Sequence, residues 1–248
     1  MTYCLGIMTR EGLVMASDSR ANAGFDQVNV CPKMHTFLQL GERAFVILTS
    51  GNLSLTQSVI TLLRDDFDAG EGLAKADTMY AAARVVGDMV RRVSDLDRAA
   101  LEKDDFKFNI HLLLGGQVKG EKPNLFLIYP QGNPLSATED SPYLQIGEVK
   151  YGRPILDRGI EFASTSLDVA GTYALLSLDA AMRSNVTVGP PLEVLLYQND
   201  KLDFDRYRRF EDDDPELDRM HARWEQALRR AVEELPNVHF DARPIHVP

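Results

Sequence analysis

Two short apolar runs stand at the very start of the chain. The first follows Thr2 as Tyr3-Cys4-Leu5-Gly6-Ile7, and the second spans Gly12 to Ser17. Between them, Arg10-Glu11-Gly12 has the composition of a tight turn, so the pattern predicts two antiparallel strands joined by a hairpin. That arrangement carries Asp18, at the end of the second run, back beside the first residues. If Met1 is removed, Thr2 becomes the N-terminal residue. Its hydroxyl is then a nucleophile, and its own α-amine, with a reference pKa of ~7.7–8.0, is a base able to take the hydroxyl proton. After a polar loop the chain reaches Cys31-Pro32-Lys33-Met34-His35. A buried Lys33 paired to Asp18 would remain charged, depress a neighbouring amine and stabilise a forming alkoxide. Taken singly, the same residues also read as a frayed terminus, a turn aspartate and a solvated lysine.

The next segments have a regular order. The apolar stretch Ala44 to Thr49 reads as a strand. Leu55, Val59, Leu62 and Leu63 then recur at helical spacing, which puts Gly51 at a strand-to-helix junction. Glycine there permits close approach, and free N–H groups at a helix start suit a developing oxyanion, although an ordinary turn has the same composition. A second helix carries Met79, Val86, Val90 and Val93 on one side. Strands follow at Asn109 to Gly116 and Leu125 to Tyr129, then a loop from Gln131 to Pro142. From Ser166, a helix with Val169, Tyr173, Leu176 and Ala180 on one face stops before Gly189-Pro190-Pro191. Leu192 to Gln198 and Lys201 to Phe210 read as a hairpin turning at Asn199-Asp200. The expected fold is α+β, a four-layer αββα sandwich of two antiparallel sheets between helices.

The segments Ala16-Ser-Asp-Ser-Arg-Ala21, Pro32-Lys-Met-His35, Thr49-Ser-Gly-Asn-Leu53, Leu112 to Gly116, Ile146-Gly147-Glu148 and Pro154 to Arg158 resemble those of proteasome β-type subunits. The resemblance spans about the first two hundred residues. Within that superfamily the chain is most similar to the bacterial Anbu branch, which starts directly at Met-Thr and carries a C-terminal extension. The resemblance implies Thr2 as nucleophile, Asp18 as orienting acid, Lys33 as the cation and the Gly51 N–H as oxyanion donor. It implies a supporting shell of Arg20, Glu148, Ser184, Asn185 and Thr187, and a substrate pocket of Ala21, Cys31, His35, Thr49 and Leu53. That pocket has no charge to select an acidic or basic side chain. Two departures stand out. Glu148 replaces the serine of the family's Gly-Ser-Gly, and its charge would favour the protonated amine and weaken the base. Ser184 and Thr187 stand where the family places an aspartate and a serine.

The resemblance also sets the domain expectation: residues 1–210 form the N-terminal-nucleophile hydrolase domain, and 211–248 form a helical extension. In the extension, Glu211-Asp212-Asp213-Asp214-Pro215 caps a helix whose stripe is Leu217, Met220, Trp224, Leu228, Val232 and Leu235. That stripe fits a helix folded on its own domain as well as a subunit contact. Implied partners are a peptide or amide substrate and further copies in a homo-oligomeric ring or open helical ring. An ATPase or a peptide-ligase-like protein is the further candidate partner.

At 248 residues and 44% hydrophobic, the chain can bury a full core as one domain. With 37 acidic against 27 basic residues and a net charge of -10, it lacks the footprint of a nucleic-acid binder. Cys4 and Cys31 have no disulfide framework and read as reduced thiols. The five histidines show no metal-ligand spacing, so no metal or other cofactor is expected. With neither a signal peptide nor a membrane span expected, the predicted location is the cytoplasm. Three readings stay open: a threonine peptidase, a narrower amidase for a small modified peptide, and a non-catalytic ring-forming scaffold.

Overall fold

The computed structural model describes residues 2–23, 27–103, 105 and 107–240. Met1, whose removal the chemistry expected at Thr2 would require, lies outside them, as do the last residues of the predicted extension.

The N-terminal hairpin forms as its sequence dictates. Strands β1 (Tyr3–Thr9) and β2 (Gly12–Asp18) are buried along their whole lengths and pair antiparallel with Cys4 opposite Ser17. A short ribbon, β3 (Arg20–Ala23) with β4 (Gln27–Val30), occupies part of the segment expected as a polar loop. There follow β5 (Met34–Gln39), β6 (Arg43–Gly51), α1 (Leu53–Asp68), a 3-10 turn at Gly72–Lys75, and α2 (Met79–Lys103). The second half comprises β7 (Ile110–Val118), β8 (Asn124–Ile128), β9 (Pro134–Ser136), β10 (Tyr143–Gly147), α3 (Val149–Gly159), α4 (Leu167–Ser184), β11 (Leu192–Gln198) and β12 (Tyr207–Phe210).

These strands build two five-stranded antiparallel sheets, ordered β10-β1-β2-β11-β12 and β5-β6-β7-β8-β9. Strand alternation divides their side chains between layers. In β6, Phe45 and Ile47 face α1 and α2, where they join Leu55, Val59, Val86 and Val90. Ala44, Val46 and Leu48 point the other way and meet Cys4, Leu13, Met15 and Leu195 of the first sheet. Helix α4 lies over β1, β2 and β11, with α3 beside it. The result is the αββα sandwich expected from the sequence.

Three local expectations need correction. The loop at Gln131–Pro142 contains β9, which pairs with β8 through Leu127 and Leu135. The buried face of α4 is Leu167, Ala170, Gly171, Ala174, Leu176 and Leu178, so of the expected face Leu176 is buried, Tyr173 and Ala180 are half-buried and Val169 is exposed; the small residues let this helix sit close on the sheet. The last hairpin is shorter than predicted, since β12 begins only at Tyr207.

The chain divides into two compact units, Met1–Asp212 and Asp213–Pro248. In the second, Asp214 caps α5 (Pro215–Glu233) by accepting from the N–H groups of Glu216 and Leu217. Leu228, Val232 and Leu235 of its apolar stripe are exposed.

Candidate active site

Asp18 ends β2 completely buried, and its hydrogen bonds come from the β1 backbone, from Lys33 just ahead of β5 and from the segment after α4. Its Oδ1 accepts from Lys33 Nζ at 2.6 Å and from the Tyr3 N–H at 3.0 Å, while Oδ2 accepts from the Gly189 N–H at 3.2 Å. Burial pushes the carboxyl upward from the usual range, and the Lys33 ammonium and the two N–H groups oppose it. Lys33 is 5% exposed. Its Nζ also donates to the Arg20 carbonyl at 2.7 Å, and its own carbonyl accepts from the Thr49 N–H at 3.0 Å, which ties it to β6. The segment after α4 closes this cluster. The Gly189 carbonyl accepts from the N–H groups of Ser19 and Arg20, and Arg20 donates to the Val186 carbonyl at 2.8 Å.

Thr2 heads β1 half-buried. Its carbonyl accepts from the Glu148 N–H at 2.7 Å. The preceding residue, Gly147, has φ +86°, and a Cβ there would lie 1.9 Å from the Thr2 oxygen. Only glycine allows strand β10 to bend this close to the head of β1.

Gly51 ends β6 opposite Ile110 with φ +112°, and a Cβ there would lie 2.2 Å from the Asn109 carbonyl. The Asn52 side chain already accepts from the N–H groups of Ser54 and Leu55. The first N–H groups of α1 are therefore capped. For an oxyanion, the candidate donor is Gly51 at the strand end rather than the helix terminus.

The shell residues separate. Glu148 is 8% exposed, and its Oε2 accepts from Asn185 Nδ2 at 3.4 Å. Asn185 Oδ1 in turn accepts from the N–H and hydroxyl of Thr187, at 3.0 and 2.6 Å. Thr187 thus fixes which end of the Asn185 amide faces the carboxylate. Ser184 is exposed as the last residue of α4 and joins none of these bonds.

Of the pocket residues, His35 lies opposite Ile47, and strand alternation puts it and Thr49 on the face of the second sheet that α1 covers. Leu53 opens α1 and is 43% exposed. Burial, helped by the Arg64 guanidinium, pushes His35 down to about 4, so its ring is neutral. Ala21 belongs to β3 and Cys31 follows β4, its N–H bonded to the Ser19 carbonyl at 2.8 Å. A recess not anticipated from the sequence is a cleft of ≈ 360 Å³ whose lining includes Ser50, Gly51, Asn109, His111, Tyr129 and Gly147. Burial lowers the pKa of His111, and the lining carries no carboxylate, lysine or arginine. Its signal was present as Asn109 and His111, two polar residues at alternate positions opening an otherwise apolar strand.

Among the described residues, no group of three or more His, Cys, Asp or Glu side chains could hold a metal ion, and no helix is long and apolar enough to cross a membrane.

No protein-family model matches the chain. It is 24% identical over 216 residues to the proteasome subunit beta of Haloferax volcanii, covering 85% of this chain and 79% of that protein. Among solved structures, the Anbu (Gly-1) mutant from Hyphomicrobium sp. strain MC1 is 40% identical, covers 97% of this chain and all (100%) of its own, and superposes with a TM-score of 0.91. Anbu (ancestral beta-subunit) from Yersinia bercovieri is 41% identical over 96% of this chain and 99% of its own, with a TM-score of 0.90. The chain in the helical assembly of the Anbu complex from Pseudomonas aeruginosa is 40% identical over 96% and 98%, also with a TM-score of 0.90.

Proposed function

Because the chain belongs to the Anbu branch of the proteasome β-subunit-like N-terminal-nucleophile hydrolases, we propose that it hydrolyses peptide or amide bonds through Thr2 once Met1 has been removed. The observation that carries this reading is the shared use of Asp18 Oδ1. One oxygen takes both the Lys33 ammonium and the N–H of the peptide that follows Thr2. A cation, its counter-charge and the nucleophile-bearing residue are thereby held in one unit.

In this reading Thr2 Oγ attacks the substrate carbonyl and the neutral α-amine takes the hydroxyl proton. The Gly51 N–H receives the oxyanion, and the Lys33 charge favours both the alkoxide and a neutral amine. As the C–N bond breaks, the α-ammonium returns the proton to the departing amine, leaving an ester on Oγ. Water, deprotonated by the same amine, then attacks the ester; the ester C–O bond breaks, the α-ammonium returns its proton to Thr2 Oγ, and the acid is released. An oxyanion donor of this kind is worth about 10²–10³ in rate.

The buried Glu148, held by Asn185, supports a narrower amidase as the second reading. A carboxylate near the α-amine favours its protonated form, so turnover would depend on a substrate that displaces or neutralises that influence. The helical assembly of the Pseudomonas aeruginosa relative supports a homo-oligomeric ring or open helical ring for this chain, and in this reading residues 211–248 are the extension beyond the hydrolase domain. A cytoplasmic location fits that assignment.

The test is turnover of a library of peptide amides with varied side chains by wild type, Thr2→Ala and Thr2→Ser. Cleavage by wild type, abolished in Thr2→Ala and retained at reduced rate in Thr2→Ser, is expected. Equal cleavage by wild type and Thr2→Ala contradicts the proposal.

A further inference from the structure

We propose that Tyr3 is a positioning residue for Thr2, acting through a buried hydrogen-bond chain that ties the head of β1 to both helices of the outer layer. The inference rests on the threonine-hydrolase reading and adds a residue to it.

Tyr3 is 0% exposed. Its hydroxyl lies 2.6 Å from Ser177 Oγ on α4 and accepts from Gln145 Nε2 on β10. Ser177 donates to the Gly152 carbonyl on α3 at 2.9 Å. The direction of the chain follows: Gln145 donates to Tyr3, Tyr3 to Ser177, and Ser177 to Gly152. Burial pushes the phenol up to about 12, so it keeps the proton it must donate. Gly152 leaves room for it, since a Cβ at that position would lie 2.3 Å from the Tyr3 hydroxyl.

The consequence falls on Thr2. The peptide group between Thr2 and Tyr3 is bound on both edges, its carbonyl by the Glu148 N–H and its N–H by Asp18. With that plane fixed, an N-terminal threonine can reorient its amine and hydroxyl only through ψ and χ1. The Tyr3 side chain is the anchor immediately beyond the plane. A loosened anchor lets the plane rock, and a displacement of about 1 Å at a nucleophile can lower rate by up to about 10²-fold without altering how substrate binds elsewhere. Packing alone would be served by phenylalanine. A three-donor chain across β10, α4 and α3 fixes the ring end rather than merely burying it.

The experiment uses the full-length protein and an epoxyketone directed at N-terminal threonine, with adduct formation followed by intact mass to give kinact and KI. Tyr3→Phe is expected to lower kinact about tenfold with KI within about twofold, and Ser177→Ala and Gln145→Ala to lower kinact by smaller factors. Tyr197→Phe is the control. It removes another buried hydroxyl, one bonded to Gln117, from the strand position opposite Leu13, at the far end of β2 from Asp18. It should leave kinact unchanged. Wild-type kinact in Tyr3→Phe overturns the inference, as does an equal fall in Tyr197→Phe. If Tyr3→Phe does not fold, wild-type kinact in both Ser177→Ala and Gln145→Ala overturns it. Wild type with a free Thr2 that never labels removes the hydrolase reading itself, and this inference with it.

Discussion

Lys33 Nζ stands 2.6 Å from Asp18 Oδ1 in a site where the two side chains are 6% and 0% exposed. A pair so dry is strongly destabilising to break, because the remaining partner keeps its charge without compensation. The Lys33→Met variant leaves Asp18 with two backbone N–H groups and no cation. It is expected to lose about 3–5 kcal/mol of stability together with hydrolytic activity. The double variant Lys33→Met, Asp18→Asn should recover part of the stability and none of the activity. Denaturant unfolding and peptide turnover on the same preparations check both halves.

His35 gives the fold an acid-sensitive element. Its folded value of about 4 lies below the ordinary 6.5, so the unfolded chain binds the extra proton between those limits. Its contribution is fully present above about pH 6.5 and is lost as pH falls toward 4. The effect should be about 2 kcal/mol, less than the full shift because the ring is only partly enclosed. His35→Gln should flatten the stability curve in that window, measured by urea midpoints at several pH values.

Gly147 and Gly41 both have positive φ, +86° and +74°, yet only Gly147 faces a wall. Alanine at 147 would place a methyl 1.9 Å from the Thr2 carbonyl oxygen, whereas alanine at 41 meets nothing within 4 Å. Gly41→Ala should cost about 1 kcal/mol from backbone strain alone. Gly147→Ala should displace the head of β1 and abolish epoxyketone labelling. Labelling of Gly147→Ala at the wild-type rate would remove the proposed closeness of β10 from the account.

Glu148 should set the acid side of the activity profile. In the proposed site the Glu148 side chain favours the protonated α-amine, so Glu148→Gln is expected to lower the amine pKa and move the acid limb of kcat/KM to lower pH. Glu148→Ser, restoring the family's residue, should shift it the same way. An acid limb unmoved in both variants places the carboxylate outside the amine's influence.

Much of this molecule is legible in its amino-acid sequence. The β1–β2 hairpin was legible because an uninterrupted apolar run, a Gly turn and a second run leave few alternatives. Helix α1 was legible from its bulky stripe, and α4 in its extent and at Leu176, while Ala170, Gly171 and Ala174 of its buried face carry little hydrophobic signal. Helix α3 had no readable stripe, with Gly152 and Pro154 inside it and only Gly152 and Leu156 buried. The pairing of Asp18 with Lys33 was anticipated, but not the part played by Gly189, whose contribution is a backbone N–H set by tertiary packing. Ser184, which family likeness puts in the shell, is exposed where α4 ends.

The central claim is that Thr2 is a free, competent nucleophile. The most direct measurement is the intact mass of the protein purified from its native host, taken before and after treatment with an N-terminal-threonine-directed epoxyketone, alongside Thr2→Ala. The account predicts a mass lacking Met1, a gain of one adduct per chain, and no gain in Thr2→Ala. A chain that retains Met1, or one that exposes Thr2 and never gains the adduct, contradicts it and leaves the fold as a ring-forming scaffold.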